Sequence, residues 1–304
     1  MSRPNYLPFG DGQWRWSMSL KALDRKNWIE IDENFAEELA LKDRLLNRHY
    51  SEVFACLPGT QTSQQEVLDL LLEHLVEYFP QRYRRHNQTI ENITTGQVWH
   101  LADFETVPLD LAGRLVQEDL LLMQPSSEGY RLVAASLCFP LRWRLREKLG
   151  RAIAQIHTPV PGYEENLACP VDSFFNRLKF NYPVWRLNWS IVNSPERFLA
   201  PEKEQPNWHS TINSQNAGEK LFLRVERQTL RRLNVSSDIL FTIRTYVHSL
   251  KVLEDNAVMA HNLAEIIKEM PSDMQSYKQI LPIREPLLGY LGCVAKKSAS
   301  LSGE

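Results

Sequence analysis

Cysteine is scarce in this chain of 304 residues, and what there is lies scattered. Cys56, Cys138, Cys169 and Cys293 include no C-x-x-C pair. That spacing speaks against structural zinc and thiolate-held iron–sulfur clusters, which draw on clustered ligands. A disulfide framework is not expected in so long a chain without a leader. Glycine motifs are also lacking. Neither G-x-x-x-x-G-K-[ST] nor G-x-G-x-x-G occurs, so nothing announces a phosphate cradle. H-E-x-x-H and G-x-S-x-G are absent too. The eight histidines include no two at a helical ligand spacing, which leaves a purely protein-built metal site without support. Net charge is −2, so no global basic field draws in nucleic acid. The longest apolar runs, such as LDLLLEHLVEYF, are broken by Glu and His and are too short to span a bilayer. The first twenty residues have no continuous apolar core and no small-residue cleavage pattern. The cytoplasm is the expected compartment.

What is present is an ordinary globular composition, 43% hydrophobic and 24% charged. The first 30 residues hold Tyr6, Phe9, Trp14, Trp16 and Trp28, too much aromatic surface to leave in water. Residues 32–50 read as a helix with Asp32 as N-cap. A second helix is expected at 63–79, with Ser63 and Glu66 as a capping box and Pro80 as its end; Leu68, Leu71, Leu72, Leu75, Val76 and Phe79 form one face. Short strands are expected after residue 90. A helix is expected in FPLRWRLREKLG, ending at Gly150, and another at 172–180 with Asp172 as N-cap. Between them HTPVPGY reads as a fixed, non-helical loop. VWRLNWSIV from Val184, LFLRVERQTLRRL from Leu221 and ILFTIRTYVHSL from Ile239 read as an antiparallel set, with NVSSD as the turn between the last two. The polar stretch 201–218 reads as a long loop. From about Glu254 the chain returns to helix. Helical, then strand-rich, then helical segments argue an α+β fold.

Two features carry chemistry. Strand alternation puts Arg224 and Glu226 on one face. That is either a solvated face with cross-strand ion pairs or a polar site where a buried arginine meets an anion. His157 stands just before the double-proline loop. It is either a hydrogen-bonded core or surface residue, or an axial ligand for a heme iron.

YLPFGDGQWRWSMSLKALDRKNWIEID, RLVQEDLLLM, REKLGR with IHTPVPGY, and LRVERQTLRRL followed by FTIRTYVHSL resemble the heme-dependent oxidative N-demethylase family, over about residues 6–290. The resemblance implies a PAS-like antiparallel sheet flanked by helices, forming a single heme-binding domain over 1–304. Its parts would be a helical N-terminal portion (1–90), a PAS-like core (91–253) and a helical C-terminal portion (254–304). It implies heme b as cofactor and oxidative demethylation of a small methylated amine such as dimethylamine, consuming dioxygen and releasing formaldehyde. Electrons would come from NADPH through separate flavin and iron–sulfur reductase subunits. This chain lacks the motifs to bind either of those redox groups. On this reading His157 is the iron ligand. Arg224, Arg227 and Arg244 pair with propionates or polarise oxygen. Glu226 receives an ammonium group, and Tyr163, Trp189 and Tyr246 offer aromatic faces to a methylated cation. A glutamate or tyrosine near the iron relays a proton. The competing readings are a non-catalytic PAS-type heme sensor and a scaffold subunit without cofactor.

Overall fold

The computed structural model describes residues 4–201 and 207–301. The fold follows from one long hairpin and the strands that pair on either side of it. In chain order the strands are β1 (Lys21–Ala22), β2 (Phe54–Cys56), β3 (Tyr83–His86), β4 (Thr89–Asn92) and β5 (Gln97–His100), then β6 (Asp119–Ser126), β7 (Gly129–Ser136), β8 (Val184–Val192), β9 (Phe222–Arg232) and β10 (Ile239–Ser249). β9 and β10 pair antiparallel from Phe222↔Ser249 to Arg232↔Ile239 without a slip. β8 pairs along β9, and β6 along the first half of β10. The main sheet runs β1-β8-β9-β10-β6-β7-β2, and β3-β4-β5 form a separate meander. The antiparallel set expected from the alternation at 184, 221 and 239 is present. Both outermost strands of the main sheet come from the first 60 residues, so the N-terminal part is built into the sheet.

The two faces of the sheet are covered differently. On the back face Leu120, Leu122 and Leu240 join a core with the helices α1 (Phe35–Arg48), α2 (Gln61–Tyr78) and α3 (Pro108–Leu115). Beside it Ile191, Leu223 and Val225 pack with α5 (Ala257–Glu269) and α6 (Arg284–Leu301). On the front face Leu121, Leu230, Ile239 and Ile243 pack with Leu145, Ile153, Tyr163 and α4 (Cys169–Arg177). The aromatic N-terminus is wrapped on the molecule as expected, with Phe9 and Trp28 buried.

Several local expectations are corrected by tertiary contacts. The second helix begins at Gln61, so Ser63 lies inside it. The Ser63 hydroxyl donates to Asp238 at 2.5 Å. Glu66 reaches across to accept the backbone N–H groups of Asn234, Val235 and Ser236 in the β9–β10 turn, at 2.6, 2.8 and 2.9 Å. The capping box gives way because three converging amide donors offer a carboxylate more than one N-terminal amide does. Val76 faces outward, and His74 takes the inner position against Trp28. α1 starts at Phe35 rather than after Asp32. FPLRWRLREKLG makes only one turn, Leu145–Lys148. Its flanking backbone is spent elsewhere: the Arg142 N–H donates to Leu199 O and the Gly150 N–H to Leu132 O. α4 starts at Cys169 after a π-helical turn, which leaves Asp172 inside the helix rather than capping it. Of the expected loop at 201–218, residues 202–206 lie outside the described residues, and the rest holds two short helical turns at Trp208–Thr211 and Ala217–Lys220.

Glu66→Ala removes the clamp on the hairpin turn. A loss of about 1–2 kcal/mol of stability is expected, read as a lower urea midpoint at unchanged slope.

Candidate functional site

The front face of the sheet is half open. Along β8 and β9 the back-facing Arg227 and Thr229 are buried, while Arg186, Asn188, Glu226 and Gln228 on the front are only half-buried. Phe241 on the central strand β10 is half-buried as well. Side chains in the middle of a sheet that still reach solvent leave this strip of the front face incompletely covered. Its apolar rim includes Leu20, Ile156, Val160 and Val184, all partly buried.

His157 stands over this face. The helical turn Ile153–Ile156 begins where the Gln155 side chain accepts the Ala152 N–H at 3.2 Å. It stops at His157, because Pro159 and Pro161 cannot continue it. The imidazole is fixed twice. Its Nδ1–H donates to the Ile153 carbonyl at 2.9 Å. The ring stacks flat on Tyr163, with centroids 4.6 Å apart at 9°. The loop between them turns at Gly162, whose φ is +67° and where a Cβ would lie 2.7 Å from Trp16. Only glycine fits there without strain. Burial, helped by the charges of Lys148 and Arg186, holds the His157 pKa below the usual histidine range, against the pull of the Ile153 carbonyl. The ring is therefore neutral at neutral pH. With Nδ1 holding the proton, Nε2 carries the lone pair, and it makes no hydrogen bond among the described residues.

Glu226 sits on the floor, with the amide groups of Asn188 and Gln228 donating to its carboxylate at 3.3 and 3.1 Å. Arg224 Nε lies 3.6 Å from the other oxygen. The Arg224 guanidinium is otherwise committed to the Arg197 and Phe139 carbonyls at 3.0 and 2.5 Å. Burial holds the Tyr163 hydroxyl well above the usual phenol range.

The remaining candidates lie on the back face. Arg227 and Arg244 are direct partners across β9 and β10. Both are met by carboxylates of the N-terminal segment. Arg244 pairs with Asp32 at 2.6 Å and Glu38 at 2.7 Å, and Arg227 with Glu30 at 3.1 Å. Arg227 also donates to the carbonyls of Asn27 and Trp28, and the Tyr246 hydroxyl donates to Glu30. Trp189 packs edge-on against Phe9. The structure thus brings His157, Tyr163, Glu226 and Arg224 to the front and keeps Arg227, Arg244, Tyr246 and Trp189 behind the sheet.

Two residues near this face escaped sequence reasoning, Arg186 on the front of β8 and Lys278 at its edge. Their signal is the register: Arg186 pairs with Gln228 and Asn188 with Glu226, which no single-strand pattern reveals. Lys278 comes from the C-terminal part and donates to the Trp189 carbonyl at 2.7 Å, at the open edge of β8.

The fold is α+β, with a half-open face of a large antiparallel sheet beneath a neutral imidazole. The family model described as haem-dependent oxidative N-demethylase, alpha subunit-like, matches residues 19–288. The chain belongs to that family, and the description carries heme dependence and oxidative chemistry. No helix among the described residues is long and apolar enough to cross a membrane.

Elsewhere in the interior, Glu118 is fully buried and accepts the Glu30 N–H at 3.0 Å. Burial pushes its pKa up to about 7, against the pull of Arg244 and Arg227. The folded carboxyl therefore keeps a proton that the unfolded chain releases at ordinary carboxylate pH. Stability from this group is fully present below the unfolded value near 4.5. It declines as pH rises through about 7. Glu118→Gln removes that decline. The variant is expected to melt higher than the wild type above about pH 7, by up to about 3 kcal/mol, with the gap closing toward acid pH. A parallel pair of melting curves across pH would contradict this.

Proposed function

We propose that this chain is the heme b subunit of an oxidative N-demethylase, a single PAS-like domain over residues 1–304 in which His157 would hold the iron. The observation that carries the reading is the imidazole itself. A backbone carbonyl holds Nδ1–H at 2.9 Å, and second-shell bonds of that kind orient histidine ligands and fix their tautomer. The free nitrogen stands over a half-open face with a polar floor and an apolar rim. These residues fit a porphyrin, and when bound the heme supplies dioxygen chemistry.

The protein's part is binding, orientation and exclusion of water. Tyr163 holds the His157 ring flat, and the apolar rim keeps the pocket dry. Glu226, steadied by Asn188 and Gln228, receives the ammonium end of a small methylated amine such as dimethylamine and takes up or returns its proton. Arg224, 3.6 Å away, holds that carboxylate in place. Arg227, Arg244, Tyr246 and Trp189 serve from behind by fixing β8, β9 and β10. Balanced overall, amine, dioxygen, NADPH and a proton give the shorter amine, formaldehyde, NADP+ and water. The electrons arrive through separate flavin and iron–sulfur reductase subunits, in the cytoplasm.

The test uses the purified full chain. The wild type is expected to show a Soret band, which His157→Ala shifts or abolishes while circular dichroism stays unchanged. With a reductase and dimethylamine, the wild type is expected to release formaldehyde. Glu226→Gln should cut kcat/KM by roughly ten- to a hundredfold, the range of a lost charge-assisted hydrogen bond. A Soret band indifferent to His157→Ala would overturn the ligand assignment. Heme uptake without formaldehyde from any small methylated amine would favour a sensor.

A further inference from the structure

Arg186 projects from β8 onto the front face, and its guanidinium makes no hydrogen bond or ion pair among the described residues. Nε is buried without a partner. The nearest acid, Glu226, attracts it but is already held by Asn188, Gln228 and Arg224. The buried arginines of the sheet have other partners, and even Arg231, which makes no hydrogen bond among the described residues, lies over the rings of Trp28 and Phe180. Arg224 and Arg227 bond backbone carbonyls, and Arg244 pairs with two carboxylates. A half-buried guanidinium with no protein partner keeps its fork of donors free, so this one is poised for a group that arrives from outside.

Lys278 adds a second cation at the same edge. Its ammonium lies 4.9 Å from the Trp189 ring centroid. It makes one hydrogen bond, to the Trp189 carbonyl, and an ammonium has three donors to give. Burial pushes its pKa down to about 8, a fall that Glu226 opposes and Arg186 reinforces. An incoming anion relieves the repulsion between these two cations. The floor carboxylate Glu226 repels a doubly charged phosphate, whereas a flat singly charged carboxylate matches the guanidinium fork.

We propose that Arg186, seconded by Lys278, forms a carboxylate-binding site on the face beneath His157, taking either a porphyrin propionate or a carboxylate carried by the amine substrate. The inference rests on the proposed heme site. Arg186 lies close enough to His157 for its charge to help keep the ring neutral, so one bound molecule can touch both.

The experiment titrates the full-length apoprotein with hemin and with hemin dimethyl ester, which lacks free carboxylates. It compares wild type, Arg186→Met and Arg186→Lys. In parallel, N-methylglycine and dimethylammonium are titrated against the same proteins by tryptophan fluorescence. If the site takes a propionate, the wild type prefers hemin to the ester by roughly ten- to a hundredfold. Arg186→Met then erases that preference, and Arg186→Lys restores part of it. If the carboxylate belongs to the substrate, the hemin preference survives in Arg186→Met, but its affinity for N-methylglycine drops by a similar factor while dimethylammonium is unaffected. Hemin and N-methylglycine both bound alike by wild type and Arg186→Met would overturn the site and leave the heme reading standing. A wild type that takes up no hemin would sink the heme reading. The carboxylate site then stands only on an Arg186-dependent N-methylglycine affinity, and falls without one. Since Arg186 makes no hydrogen bond, Arg186→Met should melt no lower than the wild type. Should it melt lower, the charge-keeping Arg186→Lys carries the comparison.

Discussion

Eleven residues of β9 lie against eleven of β10 without a slip, and this register sets two arginines, Arg227 and Arg244, side by side on the back of the sheet. Two guanidinium groups in that position repel each other and lose most of their hydration. Glu30, Asp32 and Glu38 answer them. All three carboxylates come from the segment that enters α1, so the N-terminal chain must cross behind β9 and β10. Its course there also buries Trp28 and brings Phe9 against Trp189. An ion network of this kind adds little net stability compared with apolar packing. Removing one member, however, strands the others in a dry core at a cost of about 3–5 kcal/mol.

The network has a consequence on the other side. With the back of the sheet locked by charge and by two helical layers, the front can remain partly uncovered. The segment 143–178 closes only part of it, because its own backbone is tied up in short helices and proline-bounded loops. What stays open is the strip of β8, β9 and β10 carrying Arg186, Glu226 and Phe241, with His157 above it. The functional reading therefore depends on an asymmetry: rigid ion pairs behind, an unpaired guanidinium and a free imidazole nitrogen in front.

Strand alternation in 222–232 and 239–249 was legible without a structure, and so was the stiffness of the HTPVPGY loop. Both rest on local chemistry, namely side-chain period and proline geometry. The capping role of Ser63 and Glu66 was misread because each finds a better partner more than 160 residues away. Arg224, Arg227 and Arg244 looked alike in sequence. They are not alike in the fold, since Arg224 and Arg227 differ by an odd number of residues and a pleated strand sends them to opposite faces. Arg186 was passed over for the complementary reason. Nothing near it in sequence distinguishes it, and its lack of a partner is a property of the space around it.

By itself the sequence determined the antiparallel hairpin, the α+β order of elements, the family and the histidine held before two prolines, because each is written in neighbouring residues or in long ordered blocks. Only the tertiary structure decided which arginines are spent on ion pairs and which one is left over. That division turns on strand register and on carboxylates delivered from the far end of the chain, and charge pairing at such distances leaves no local trace.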